Sequence, residues 1–360
     1  MQIKSVFRIR RQWFRCHVGH DVVLGSMLTL GVAWILALGE MNYAAEVEHR
    51  KESLLSNLGL DLRVLDARQD EPPKVPPSAK LQAHDRLTLV GGTMVERLQT
   101  DGRLEAALYH SLNSQQFQIR NLGWSGDDVW GTARAVFGQA SDGFERLRAD
   151  LQFTQPTVVV VAYGANESFA GAEGLESFVR GLERLLLMVK ESGARPLLVT
   201  PPPFEDLGSP MPSMQIANEN LAIYCRAIRE IAAQQNLELI DLHQRVLATA
   251  RPSESRTYNG VHMTPAGTAE VSRILAEEML GQKIADKHWD QLNQAENLLG
   301  MIRRKNEWYF HRYRPQNETY LFLFRKHEQG NNAVEIPQFD ELVNRAEQDV
   351  RREASNLPLK

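Results

Sequence analysis

The chain has 360 residues, 43% of them hydrophobic and 24% charged, a balance that suits a packed globular core and excludes a disordered polymer. Its formal charge of −4 gives no electrostatic reason to expect nucleic acid as a partner, and two cysteines, Cys16 and Cys225, cannot build a disulfide framework. The length accommodates one large domain with additions, or two small ones.

At the N-terminus, Lys4, Arg8, Arg10, Arg11 and Arg15 precede an uncharged run from Val22 to Gly39. A basic flank before an apolar run predicts a secretory signal. The run approaches the ~20 residues that cross a bilayer, so an uncleaved anchor is the alternative. The excess of Lys and Arg before it places the N-terminus in the cytoplasm and the remainder outside, in the periplasm or at the cell surface. Residues 1–40 are therefore read as signal peptide or signal anchor. Residues 41–84 are polar and then proline-rich ("DEPPKVPPSAK"), and read as a linker.

Across residues 85–282 short apolar runs alternate with helical patterns. The runs are Leu87–Val90, Phe117–Leu122, Thr157–Tyr163, Pro196–Thr200 and Leu237–Leu242. The third, "TVVVVAYG", is β-branched and apolar throughout, as befits a strand covered on both faces. Leu175, Phe178, Leu182, Leu185, Leu186 and Val189 follow helical spacing before the stop at Gly193, and Leu221, Ile228 and Ile231 do the same. The alternation predicts an α/β fold, a parallel sheet of five strands between two helical layers. Residues 283–360 form a C-terminal extension. Leu292, Ala295, Leu299 and Ile302 predict one helix, and a last polar helix covers Gln338 to about Ala354. Between them lie seven aromatics from Trp308 to Phe324, interleaved with Arg312 and Arg314 and followed by Arg325 and Lys326. Such a stretch packs onto its own domain more often than it stacks on sugars or bases.

Ligand sites in parallel α/β sheets lie at the carboxyl ends of the strands. The first run ends in Gly91-Gly92-Thr93, the second in "NLGWSGD" and the third in "YGANES"; "YNGVHMTPAG" closes the region. Taken singly, each has a structural explanation: Thr93 as a helix cap, Gly123 and Gly126 as turn glycines, Asn166 bonded to its own loop, His262 as a surface histidine. Together, in this order, the four blocks resemble the SGNH/GDSL hydrolase family. The resemblance covers roughly Asp85 to Gly281 and implies a flavodoxin-like three-layer α/β/α fold. It places Thr93 at the nucleophile, Gly126 and Asn166 at the oxyanion hole beside the N–H of Thr93, and His262 at the general base.

Three positions depart from the family pattern. Thr93 stands for serine, Gly92 for aspartate, and Asn259 for the carboxylate that orients the histidine. Threonine keeps the hydroxyl but adds a methyl and a stiffer χ1. Asparagine can accept a hydrogen bond from the imidazole but supplies no negative charge. Glu254, Asp127, Asp128 and Glu167 are the carboxylates available to substitute. The resemblance implies an exported hydrolase of small acyl esters, among them O-acetyl groups on carbohydrate, needing no cofactor and no metal. The departures keep a second expectation open, a non-catalytic module that binds a glycan or acyl ligand. A phosphate cradle is the weakest alternative, because "VGGTMVER" has neither Gly-x-Gly-x-x-Gly nor Gly-Lys-Ser/Thr. The sequence leaves the oligomeric state open.

Overall fold

The structure, a computed structural model, describes residues 81–249 and 254–358. The signal or anchor, and the linker as far as residue 80, lie outside these residues.

Five parallel strands form one sheet: β1 (Arg86–Gly91), β2 (Gln118–Asn121), β3 (Val158–Ala162), β4 (Arg195–Val199) and β5 (Glu238–Ile240), in the order β2-β1-β3-β4-β5. All five coincide with the predicted runs. Strand β3 pairs with both β1 and β4, and Val158 to Val161 are each at most 2% exposed, so a strand covered on both faces is what its composition predicted. The first helices, α1 (Thr93–Asp101) and α2 (Arg103–Leu112), lead from β1 to β2, and α3 (Ala140–Thr154) leads to β3. Helices α4 (Leu175–Glu191) and α5 (Gln215–Gln234) follow β3 and β4. After β5 come α6 (Leu242–Ala248) and α7 (Pro265–Leu280). The chain leaves β1 toward β2 and later returns on the other side of β1 to form β3. The carboxyl ends of β1 and β3 therefore flank the point where the winding reverses, which opens a crevice there.

Helix α7 starts where its sequence says it should. Thr264 caps it, accepting from the N–H of Gly267 at 3.1 Å, and Pro265 occupies the first turn. Gly281 ends it at φ 64°. The single helix expected after Gly281 is two: α8 (Asp286–Asn293) and α9 (Glu296–Tyr313). The break falls at Ala295, whose ψ of 60° is not helical. Apolar spacing alone passed over this break because Leu292, Leu299 and Ile302 are buried on both sides of it.

Two short helices, α10 (Glu318–Leu321) and α11 (Lys326–Gln329), precede the last helix, α12 (Phe339–Asn356). Helices α9 and α12 share the sheet's own core: Leu299, Ile302, Val350 and Ala354 join Leu98, Leu104, Leu108 and Val158 in one apolar cluster. Buried polar groups bridge the same boundary. Arg120 makes a bidentate pair with Glu347 at 2.8 and 2.9 Å, and Tyr109 donates to Glu347 at 2.6 Å. Lys305, 1% exposed, pairs with Glu105. The tail aromatics divide: Tyr309 and Tyr313 are buried in this layer, whereas Phe322 and Phe324 stay exposed.

Candidate active site

Thr93 is the first residue of α1, one step past the cap. Gly92 is the N-cap, in an extended conformation and with no side chain to offer, so the Thr93 hydroxyl is not spent on capping. Its Oγ1 instead accepts from the N–H of Gly126 at 3.3 Å. Gly126 has φ +77°, a conformation that favours glycine, and a Cβ there would meet nothing within 4 Å. Backbone geometry rather than crowding explains that residue. Asn166 follows β3, and its Nδ2 donates to the carbonyl of Gly126 at 3.3 Å. Three of the predicted site residues are thus joined by hydrogen bonds across two loops.

Glu167 holds those two loops together. One carboxylate oxygen accepts from the N–H of Val129 at 2.9 Å and the other from the N–H of Gly164 at 2.9 Å. Burial pushes its carboxyl up to about 7, against hydrogen bonds from the amides of Glu167 itself, Gly164 and Val129, which favour the ionised form. A second brace runs from α1. Glu96 accepts from the N–H of Ser125 at 2.9 Å and from its hydroxyl at 2.7 Å, and pairs with Arg314 at 2.7 Å. The Arg314 guanidinium lies 3.6 Å from the ring centre of Trp124, and Tyr313 donates to the carbonyl of Gly123 at 3.1 Å. Gly123 has no room for a side chain, since a Cβ would sit 2.3 Å from the Glu96 nitrogen.

His262 sits on a loop pinned from several sides. Tyr258 N–H donates to the His262 carbonyl at 2.8 Å, and Thr257 forms a bridge with Met263. Glu205 accepts from the N–H and the hydroxyl of Thr257 at 2.7 and 2.8 Å. Asn259 lies against the imidazole. Its Oδ1 accepts from the backbone N–H groups of Val261 at 3.2 Å and His262 at 2.9 Å. The ring Nδ1 is 3.2 Å from that same Oδ1 and 3.1 Å from Nδ2. Two tautomers therefore fit. With Nδ1–H donating to Oδ1, Nε2 is bare and can take a proton; with Nδ2 donating to Nδ1, Nε2 carries hydrogen and cannot. Burial, and then the positive charge of Arg97, hold the imidazole below its ordinary pKa.

None of the four carboxylates named as substitutes for the missing acid bonds to the imidazole. Asp127 is fully buried and accepts from Arg134 at 2.7 Å and from the Tyr163 hydroxyl at 2.7 Å. Asp128 accepts from the backbone of Trp130 and from Thr132. Glu167 braces the loops, and Glu254 is exposed. Among the described residues, Asn259 is the only side chain hydrogen-bonded to the His262 ring.

Thr93, Gly126, Asn166 and His262 all line one cavity of about 540 Å³, with Met94, Phe169, Phe204 and Val261 among its apolar walls. No hydrogen bond joins Thr93 to His262, although both face that space. The cavity also contains Arg97, an exposed cation one helical turn beyond Thr93, which the sequence reading passed over. Spacing holds the clue, because position i+4 shares a helix face with position i. Glu96, Glu205 and Arg314 were missed as braces, since their partners are distant in the chain.

A parallel α/β sheet with an alcohol, an imidazole and amide donors gathered at its carboxyl edge is the arrangement of an acyl-transfer hydrolase. The sequence pattern of the GDSL-like Lipase/Acylhydrolase family matches residues 88–269, and the chain belongs to that family. Over 168 residues it is 26% identical to the probable rhamnogalacturonan acetylesterase YesY of Bacillus subtilis (strain 168), covering 40% of this chain and 73% of that protein. Among solved structures it is similar to Axe2, an acetylxylan esterase from Geobacillus stearothermophilus, with 20% identity and a TM-score of 0.42 over 56% of this chain and 96% of that one. It is also similar to a gut microbial diltiazem-metabolizing enzyme, with 18% identity and a TM-score of 0.45 over 56% of this chain and 48% of that one.

Proposed function

We propose that the protein is an exported ester hydrolase that removes small acyl groups, O-acetyl esters of carbohydrate being the substrate class. The observation that carries this reading is the convergence of Thr93, Gly126, Asn166 and His262 on one cavity. The names of the acetylesterases it is similar to support the substrate class, and the basic and then apolar N-terminus supports export.

In the first step His262 Nε2 takes the Thr93 proton as Oγ1 bonds to the acyl carbon. The negative charge moves to the carbonyl oxygen, within reach of the N–H groups of Thr93 and Gly126 and the amide of Asn166. Collapse expels the alcohol, which receives the proton from His262, and leaves the acyl group on Thr93. Water, deprotonated by His262, then attacks the same carbon; the bond to Thr93 Oγ1 breaks, His262 returns the proton to Oγ1, and the acid leaves. Only the Nδ1–H tautomer serves as base, so Asn259 must accept from the ring through Oδ1.

Hydrolysis of p-nitrophenyl acetate and acetylated xylo-oligosaccharides tests this. Thr93→Ala and His262→Ala are expected to abolish turnover. Asn166→Ala is expected to lower kcat by about 10²–10³, the usual cost of one oxyanion donor. Equal rates for wild type and His262→Ala would refute the reading. One observation favours a second reading, a binding module without turnover: the Asn259 Nδ2 sits as close to the ring as Oδ1 does. Ligand binding that survives His262→Ala, with no hydrolysis by wild type, would establish it.

A further inference from the structure

Of the acidic and basic side chains that line the catalytic cavity, all but one are held by partners. Asp127 is buried against Arg134 at 2.7 Å. Arg256 makes a bidentate pair with Glu270 at 2.7 and 3.0 Å. Glu167 is spent on the amides of Val129 and Gly164, and His262 lies against Asn259. Arg97 is the exception. It lines the same cavity and is exposed, and among the described residues no carboxylate or carbonyl engages its guanidinium. An arginine carries its charge at every pH at which a protein functions, and its flat fork of N–H donors matches a carboxylate.

Two observations fix where that cation stands in the reaction. It follows Thr93 by four residues on α1, so the two side chains share one helix face about 6 Å apart along the axis. Helical side chains lean toward the start of their helix, which brings the guanidinium back toward Thr93. Its charge also reaches the imidazole, since Arg97 is the cation that holds His262 below its ordinary pKa. His262 is the group that hands a proton to the departing alcohol, so the alcohol part of the ester lies on the imidazole side. Arg97 therefore faces the alcohol part, at a span of about one sugar ring.

We infer that the alcohol part of the substrate carries a carboxylate: the ester is an O-acetylated uronic acid, its carboxylate on the Arg97 guanidinium and an acetylated ring oxygen at Thr93. The inference rests on the ester-hydrolase reading and narrows its substrate class from carbohydrate acetates to acidic ones. Arg97 acts as a specificity residue; it makes no bond to the reacting atoms. A neutral acetylated sugar reaches the same Thr93 but leaves the cation facing water.

The test compares acetate release from fully acetylated methyl galacturonoside, as the free acid and as its methyl ester, two substrates that differ in charge at one carbon. Wild type is expected to show a kcat/KM about tenfold higher for the acid, the size of one charge-assisted pair. Arg97→Gln is expected to bring the ratio close to one, Arg97→Lys to keep part of it, and added salt to lower it in wild type. The ratio is read within one protein, so a changed ionisation of His262 cancels from it. Arg97 is exposed, and a native circular dichroism spectrum confirms the fold of each variant. The inference is overturned if wild type prefers the methyl ester or treats both alike, or if native Arg97→Gln keeps the preference. It is overturned too if only p-nitrophenyl hydrogen succinate, charged on its acyl part, gains from Arg97. Should wild type hydrolyse no ester, p-nitrophenyl acetate included, the hydrolase reading falls by itself. Titration of the unacetylated galacturonoside, followed by nuclear magnetic resonance, then decides the anion site: binding lost in Arg97→Gln upholds it, and binding that ignores Arg97, or none, overturns it.

Discussion

In the proposed mechanism the chemistry turns on Asn259. Its carbonyl oxygen is already occupied by two backbone N–H groups, and its amide nitrogen competes for the same imidazole nitrogen. A carboxylate has no N–H to offer, so Asn259→Asp leaves only the productive tautomer and adds a charge that stabilises the imidazolium. We expect that variant to raise kcat/KM on p-nitrophenyl acetate by about ten- to a thousandfold, given the roughly 10⁴ lost in the reverse change in serine proteases. The pH profile moves with it. Activity is lost as pH falls through the His262 pKa, because the imidazolium cannot accept a proton. Burial and Arg97 lower that pKa, so Arg97→Gln is expected to raise it and to shift the acid limb of kcat/KM toward higher pH. An unmoved limb in Arg97→Gln would show that the charge does not reach the base.

The loop Gly123–Gly131, between β2 and α3, is the element on which the proposed oxyanion site depends. Its own sequence is glycine-rich, and its shape is imposed from outside: by Glu96 from α1, by Glu167 from beyond β3, and by Tyr313 and Arg314 from the end of α9. Arg314→Ala removes both the cation over Trp124 and the partner of Glu96. We expect kcat on p-nitrophenyl acetate to fall about tenfold, with a smaller change in KM, as for a group that positions a transition-state donor. A changed melting temperature with unchanged kcat would make it a stability residue only. This loop also marks the limit of what the chain reveals unaided. The strands were legible, because buried strands carry continuous apolar runs, and so were the loops that bring Thr93, Gly126 and Asn166 to one cavity, because each lies shortly after a strand. The braces were not, because Glu96 and Arg314 lie 218 residues apart and ordinary surface charges look the same in sequence. The break at Ala295 was hidden for a related reason: burial on both sides preserves the apolar rhythm across a bend.

For the molecule as a whole, the C-terminal helices are part of the core rather than an appendage to it. Leu299, Ile302, Val350 and Ala354 fill the same cluster as the sheet residues, and Glu347 and Lys305 neutralise buried charges on β2 and α2. Removing them would expose Leu98, Leu104 and Leu108 to water and take away the partners of Arg120 and Glu105, a strongly destabilising combination. A chain ended at Gly281 is accordingly expected not to be recovered as a soluble folded protein, as read by size exclusion and circular dichroism. A native spectrum from that truncation would mean that the family core stands alone. The uncapped start of α1 carries a last consequence. With glycine at the cap, no side chain consumes the amide hydrogens of the first turn, and the positive end of the helix dipole faces the crevice between β1 and β3. In the proposed mechanism that end of the helix lies where the ester oxygen would gather charge, so boronic and phosphonic acids that copy a tetrahedral anion should bind there more tightly than the planar ester.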